Sequence, residues 1–124
     1  LQIRLAQECA EVGLALGHKV ENFGGRPAGE WAGASKGDVF EVLDAALAEN
    51  ISGANWRPSM AQDTAKGRPT EIYQMNGFVC QQGTTVGVET PVNAAITDVI
   101  RAIDSREAEA EYENVERVLT AAGY

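Results

Sequence analysis

The sequence is poor in the residues that build covalent or metal-held frameworks: its 124 residues include two cysteines, Cys9 and Cys80, and one histidine, His18. Two cysteines cannot make a disulfide scaffold, which leaves a reducing compartment, the cytoplasm, as the expectation. With one histidine, a histidine-based metal site would have to recruit distant carboxylates or thiols, so no metal is expected. Positive charge is scarce as well: 10 Lys plus Arg stand against 18 Asp plus Glu, a net charge of −8. Phosphate binding needs a basic face, so nucleic acid is excluded as the main partner. No uncharged apolar run approaches the ~20 residues of a membrane span, and the first residues do not read as a signal peptide. Alternating apolar and polar stretches bounded by hairpin turns are also missing, so strands are not expected.

What is there is a globular composition, 44% hydrophobic and 23% charged, at a length suited to one domain. Leu1, Leu5, Cys9, Val12 and Leu16 recur at helical spacing, with Arg4, Gln7, Glu8 and Glu11 on other faces and Gly17 as a stop. The chain opens directly into this pattern without a cap, as expected of a piece of something longer. His18 falls just past the helix end, where an imidazolium answers the dipole. Residues 22–37 carry five glycines and Pro27 and read as a loop. Asp38 then looks like the N-cap of a helix with Val39, Phe40, Leu43, Ala46 and Leu47 on its apolar side.

Ser59-Met-Ala-Gln62 has the spacing of a capping box, and that short helix should end at Gly67. Pro69, at a first helical position, opens an apolar pattern of Ile72, Met75, Phe78, Val79 and Val86. Thr90-Pro91 repeats the signal before a stripe of Val92, Ala95, Ile96, Val99, Ile100 and Ile103. A last helix is expected from about Ser105 to Ala122, with the acidic run Glu107 to Glu116 on a solvated face. The pattern predicts an all-α single domain of five or six helices.

Few residues offer chemistry by pattern alone. Gly24-Gly25-Arg26-Pro27-Ala28-Gly29 has neither the preceding strand nor the following helix of a dinucleotide cradle, and it lacks the lysine of a P-loop. Cys9 and Cys80 sit on helical stripes and read as buried, inert thiols. Trp31 and Trp56 lie in expected loops, where they either cover a core edge or line a groove. Ser59, Glu71 and Asn93 fall in or beside first helical turns. There they serve either as caps and dipole partners or as contacts to a polar substrate, and spacing leaves both readings open.

The middle of the chain carries a more specific signal. Pro58-Ser-Met-Ala-Gln-Asp63, Lys66-Gly-Arg-Pro-Thr-Glu-Ile72, Asn76-Gly-Phe78 and Gly87-Val-Glu-Thr-Pro-Val-Asn93 occur in that order. This block, from about Ser52 to Ile103, resembles the C-terminal domain of the ketopantoate reductases (2-dehydropantoate 2-reductases). The resemblance implies an NADPH-dependent oxidoreductase that reduces ketopantoate, or a related 2-oxo acid, in pantothenate biosynthesis. It implies a helical substrate-side domain here, over 1–124, and a Rossmann domain binding NADPH, which this chain does not contain. Ser59 matches the family serine that hydrogen-bonds the substrate, and Glu71 the glutamate of the cofactor–substrate site, with catalytic and cofactor-binding roles. The family's asparagine three residues before the serine is displaced: Trp56 takes that place and Asn55, one residue further back, is the candidate substrate contact. Tyr73 stands where the family tends to have aspartate. Asn76 and Asn93 match recurrent family positions for which a structural role serves equally well. The family lysine lies upstream of the first helix, and neither Lys36 nor Lys66 matches it, so the chain alone is expected to be inactive. The rival reading is a stand-alone helical module that binds another protein or a second copy of itself, because bare apolar surface favours association.

Overall fold

The structure, a computed structural model, describes residues 1–51 and 58–124, with the side chains of residues 50 and 51 left aside. The described residues form seven α-helices and no strands. They are α1 (Gln2–Ala15), α2 (Ala28–Ala32), α3 (Val39–Ile51), α4 (Ser59–Ala65), α5 (Phe78–Val86), α6 (Pro91–Asp104) and α7 (Asn114–Ala121). A π-helical turn, Tyr73–Gly77, runs straight into α5. The all-α expectation holds, and six of the seven helices have seven or more residues.

Helix α1 separates two apolar clusters. On one side Ile3 and Ala10 pack with Trp31, Ala34 and Leu43, joined by Phe23, Val39, Phe40 and Leu47. On the other, Leu1 and Leu5 pack against Val92, Ala95 and Val118 of α6 and α7. The buried face of α1 is thus Ile3, Glu8, Ala10 and Val12. It excludes Cys9, which is exposed, contrary to the stripe read from spacing. Cys80 is half-buried.

Several local expectations are corrected by tertiary contacts. The glycine-rich stretch contains α2, anchored by Trp31, which is only 4% exposed. Its indole stacks on Phe23 at 4.9 Å between ring centroids and donates Nε1–H to the Phe23 carbonyl at 3.0 Å. Trp31 therefore covers a core edge from within a helix. Ser59 does not close a capping box: it is the first residue of α4, Pro58 holds the cap position in an extended conformation, and no side chain caps the helix. Pro69 is not a first helical residue, since residues 68–70 are irregular and the helix opens with the π turn. The segment after Ser105 turns through Arg106 (φ 62°) and becomes helical only at Asn114. Its glutamates, Glu107 to Glu116, are exposed, as the acidic pattern implied.

The start of α6 is held from across the chain. Pro91 is its first residue, as the sequence indicated, but Thr90 provides no side-chain cap. A helix start leaves backbone N–H groups without internal partners. Here the Glu8 carboxylate, buried in α1, accepts from Val92 N–H and Asn93 N–H, each at 2.8 Å, and from the Asn93 side-chain amide at 2.6 Å. Gly83 lets α5 approach the same region: a Cβ there would lie 2.7 Å from the Val88 carbonyl oxygen.

Candidate functional site

The segment carrying the two best sequence candidates, residues 58–77, is folded back on itself. Helix α4 ends in a reversal at Gly67, whose φ of 64° favours glycine. The Asp63 carbonyl accepts from Lys66 N–H at 3.0 Å and Arg68 N–H at 2.9 Å, and Arg68 Nε sits 3.4 Å from Asp63 Oδ1. The returning strand of chain is then tied down. Thr70 donates both its backbone N–H (3.1 Å) and its hydroxyl (2.8 Å) to Asp104 Oδ2 at the end of α6. Ile72 is fully buried.

Glu71 lies between these two fixed residues, exposed, in a bend. Its carbonyl accepts from Gln74 N–H and Met75 N–H at 3.1 Å each, so Glu71 opens the π turn and sits beside a helix start, as expected. Ser59 is exposed at the first position of α4. Among the described residues neither side chain has a hydrogen-bond or ion-pair partner, which leaves a hydroxyl and a carboxylate free for an external group. Their neighbours Pro58 and Ile72 line one apolar groove of about 680 Å³, together with residues of α4, α6 and α7. Ser59 and Glu71 themselves do not line it. Tyr73, Met75 and Phe78, on and just after the π turn, are also exposed, giving an apolar surface next to Glu71. Asn55 and Trp56 lie outside the described residues.

Asn93 belongs to the frame rather than to the exposed surface. It has no accessible surface; its amide oxygen accepts from Asn76 Nδ2 at 2.9 Å, and its carbonyl accepts from the Thr97 hydroxyl at 2.7 Å. Together with Glu8 it ties α1, α6 and the π turn into one polar network, with every buried side-chain polar atom among the described residues satisfied. By helical spacing alone Glu8 falls on a polar face of α1. No local signal announces its role at the start of α6, because Thr90 is itself a favoured N-cap residue and its failure to cap shows only in the folded chain.

His18 is exposed just beyond α1, its N–H bonded to the Gly13 carbonyl at 3.1 Å. Cys9 has an exposed residue surface, yet its thiol is partly enclosed. Desolvation is the largest cause raising its pKa, followed by the charges of Glu8 and Cys80. No group of three or more His, Cys, Asp or Glu among the described residues could hold a metal ion. No helix among them is long and apolar enough to cross a membrane.

The family model described as ketopantoate reductase PanE/ApbA C terminal matches residues 1–104. The chain belongs to this family. A 2-dehydropantoate 2-reductase of Pyrobaculum aerophilum is 36% identical over 107 residues, covering 85% of this chain and 31% of the relative. One from Vibrio cholerae is 37% identical over 73 residues (59% of this chain, 22% of the relative). One from Aquifex aeolicus is 44% identical over 45 residues (36% and 14%). The chain thus spans under a third of the length of these relatives. No solved structure matches it. The family match ends at Asp104, the residue that holds Thr70, so the clamp next to Glu71 lies wholly within the matched region while α7 lies beyond it.

Proposed function

We propose that this chain is the substrate-side domain of an NADPH-dependent 2-dehydropantoate 2-reductase, or of a close analogue acting on a related 2-oxo acid. The observation that carries the reading is the pair of exposed, partnerless groups at family motif positions, Ser59 and Glu71, the second flanked by the clamped Thr70 and the buried Ile72. The glycine-rich stretch 24–29 follows no strand among the described residues, so it lacks the entry of a dinucleotide cradle. The exposed Glu71 carboxylate does suit an accepting role toward a carboxamide or a ribose hydroxyl. When bound, NADPH supplies the hydride that reduces the C2 carbonyl. The chain's own part is positioning: the Ser59 hydroxyl donates to the 2-oxo acid, and Glu71 fixes geometry and charge beside it. Asn55 is a further substrate contact in this reading. The proton donor and the dinucleotide-binding Rossmann domain come from residues outside this sequence. The exposed Tyr73, Met75 and Phe78 form the kind of apolar surface that a neighbouring domain covers.

The test compares two proteins, this chain and the full-length protein that carries it. NADPH oxidation with ketopantoate by the full-length protein, and none by the 124-residue chain, is the expected result. Turnover by the chain alone, or none by the full-length protein with any 2-oxo acid, overturns the reading. A second reading, self-association, has one observation in its favour, the apolar groove between α4, α6 and α7. Analytical ultracentrifugation decides it: a dimer that α-groove substitutions such as Ile100→Glu dissociate supports association, and a monomer contradicts it.

A further inference from the structure

The geometry points to Asp104 as a positioning residue for Glu71, acting through Thr70; this rests on the reading of Glu71 as a site carboxylate. The Glu71 side chain has no partner of its own among the described residues, so only its backbone fixes where the carboxylate stands. That backbone is held on one side by the burial of Ile72 and on the other by Thr70, whose N–H and hydroxyl converge on one oxygen of Asp104. The contact joins residues 34 apart in sequence.

Asp104 is not explained by its own helix. It is the last residue of α6, where the negative end of the macrodipole disfavours a carboxylate. Two donated hydrogen bonds from Thr70 offset that local cost, and Arg68 and Arg106, which line the same cavity of about 280 Å³, bring positive charge to its surroundings. Helix α6 is itself immobilised at its other end by Glu8. The π-turn segment is anchored to α6 a second time, where Asn76 donates to Asn93. Residues 70–76 therefore lie antiparallel along a fixed helix with a clamp at each end, and the clamp adjoining Glu71 is Asp104.

The experiment uses the full-length protein with Asp104→Ala and Asp104→Asn, each made in the Glu71 and the Glu71→Gln backgrounds. Steady-state kinetics with NADPH and ketopantoate is combined with hydrogen exchange over residues 70–72. Asp104→Ala is expected to lower kcat by roughly tenfold to a hundredfold, the scale of losing a positioned group, with a smaller change in KM. Asp104→Asn keeps an acceptor oxygen and restores most of the rate. In the Glu71→Gln background Asp104→Ala adds little, because the group it positions is already gone. Exchange at the Thr70 amide speeds up in Asp104→Ala while the first turn of α6 stays protected. Equal fold losses in both backgrounds, or an unchanged kcat in Asp104→Ala where Glu71→Gln is impaired, overturns the inference. If Asp104→Ala does not fold, Thr70→Val removes the hydroxyl donor, keeps the N–H and carries the same comparison. A wild-type protein without turnover counts against the proposed function; the clamp is then decided by exchange, and an unchanged Thr70 amide overturns it.

Discussion

Truncating Glu8 is the perturbation with the largest effect that the frame implies. Glu8 is 6% exposed and accepts three hydrogen bonds, two from backbone N–H groups of α6 and one from the Asn93 amide. Val92 and Asn93 have no accessible surface, so water cannot replace the lost acceptor. An unsatisfied buried donor costs ~1–3 kcal/mol, and the truncation strands two backbone N–H groups and one side-chain amide. Glu8→Ala should therefore destabilise the domain by about 3–5 kcal/mol, a large share of the ~5–15 kcal/mol typical of a domain. Glu8→Gln keeps the shape but turns an amide toward one backbone donor, and should lose about 2 kcal/mol. The control is Glu11→Ala on the same helix: among the described residues Glu11 accepts only from Gln7 Nε2, at 2.9 Å, and its loss should cost at most about 1 kcal/mol. Urea denaturation followed by far-UV circular dichroism measures all three. A Glu8→Ala midpoint indistinguishable from that of Glu11→Ala would refute the claim that Glu8 caps α6.

Further outcomes follow from the same geometry. Gly83→Ala places a Cβ 2.7 Å from the Val88 carbonyl oxygen and should cost ~1–3 kcal/mol by overpacking; an unchanged melting midpoint contradicts the close approach of that turn. The Cys9 thiol has its pKa raised, chiefly by desolvation, so at about pH 8 it should alkylate more slowly than a free thiol of ordinary pKa ~8.5. Its linked stability is present below the unfolded value and lost as pH rises through the folded one, so wild type should lose stability relative to Cys9→Ser in alkaline urea titrations. Ser59 provides no cap, so Ser59→Ala should leave the melting midpoint nearly unchanged while weakening substrate binding in the full-length protein. Ser59→Asp should raise KM for an anionic 2-oxo acid by repulsion, and a normal KM in that variant removes Ser59 from the site.

Much of the helical frame was legible because its signals are local. Pro91 opens α6, Gly67 reverses the chain after α4, and the acidic run after Ser105 stays in solvent. What escaped is set by partners distant in sequence or by contacts inside a short loop. Helix α2 exists because Phe23 and Trp31 stack and the Phe23 carbonyl takes the indole N–H, which no helical period announces. Pro69 carries a start signal that Thr70 overrides by bonding to Asp104, keeping the chain irregular until the π turn. Glu8 looked like one more solvated glutamate because its partners lie 84 and 85 residues away. The candidate site divided the same way. Ser59 and Glu71 were found through the motif and are exposed beside helix starts, whereas Asn93 proved to be a buried member of the frame. The contacts that hold Glu71 in place could only be seen once the chain was folded.

The most direct test of the account is the turnover number of Glu71→Gln in the full-length protein, measured with NADPH and ketopantoate beside the thermal midpoint of the same variant. Glu71 is exposed and its side chain supports no contact among the described residues, so the midpoint should move by less than the ~0.5 kcal/mol equivalent of an ordinary surface change. A carboxylate that orients the reacting groups predicts a fall in kcat of at least about tenfold at that unchanged stability. A Glu71→Gln enzyme that keeps both its midpoint and its kcat would contradict the assignment of this surface as the substrate side of a reductase.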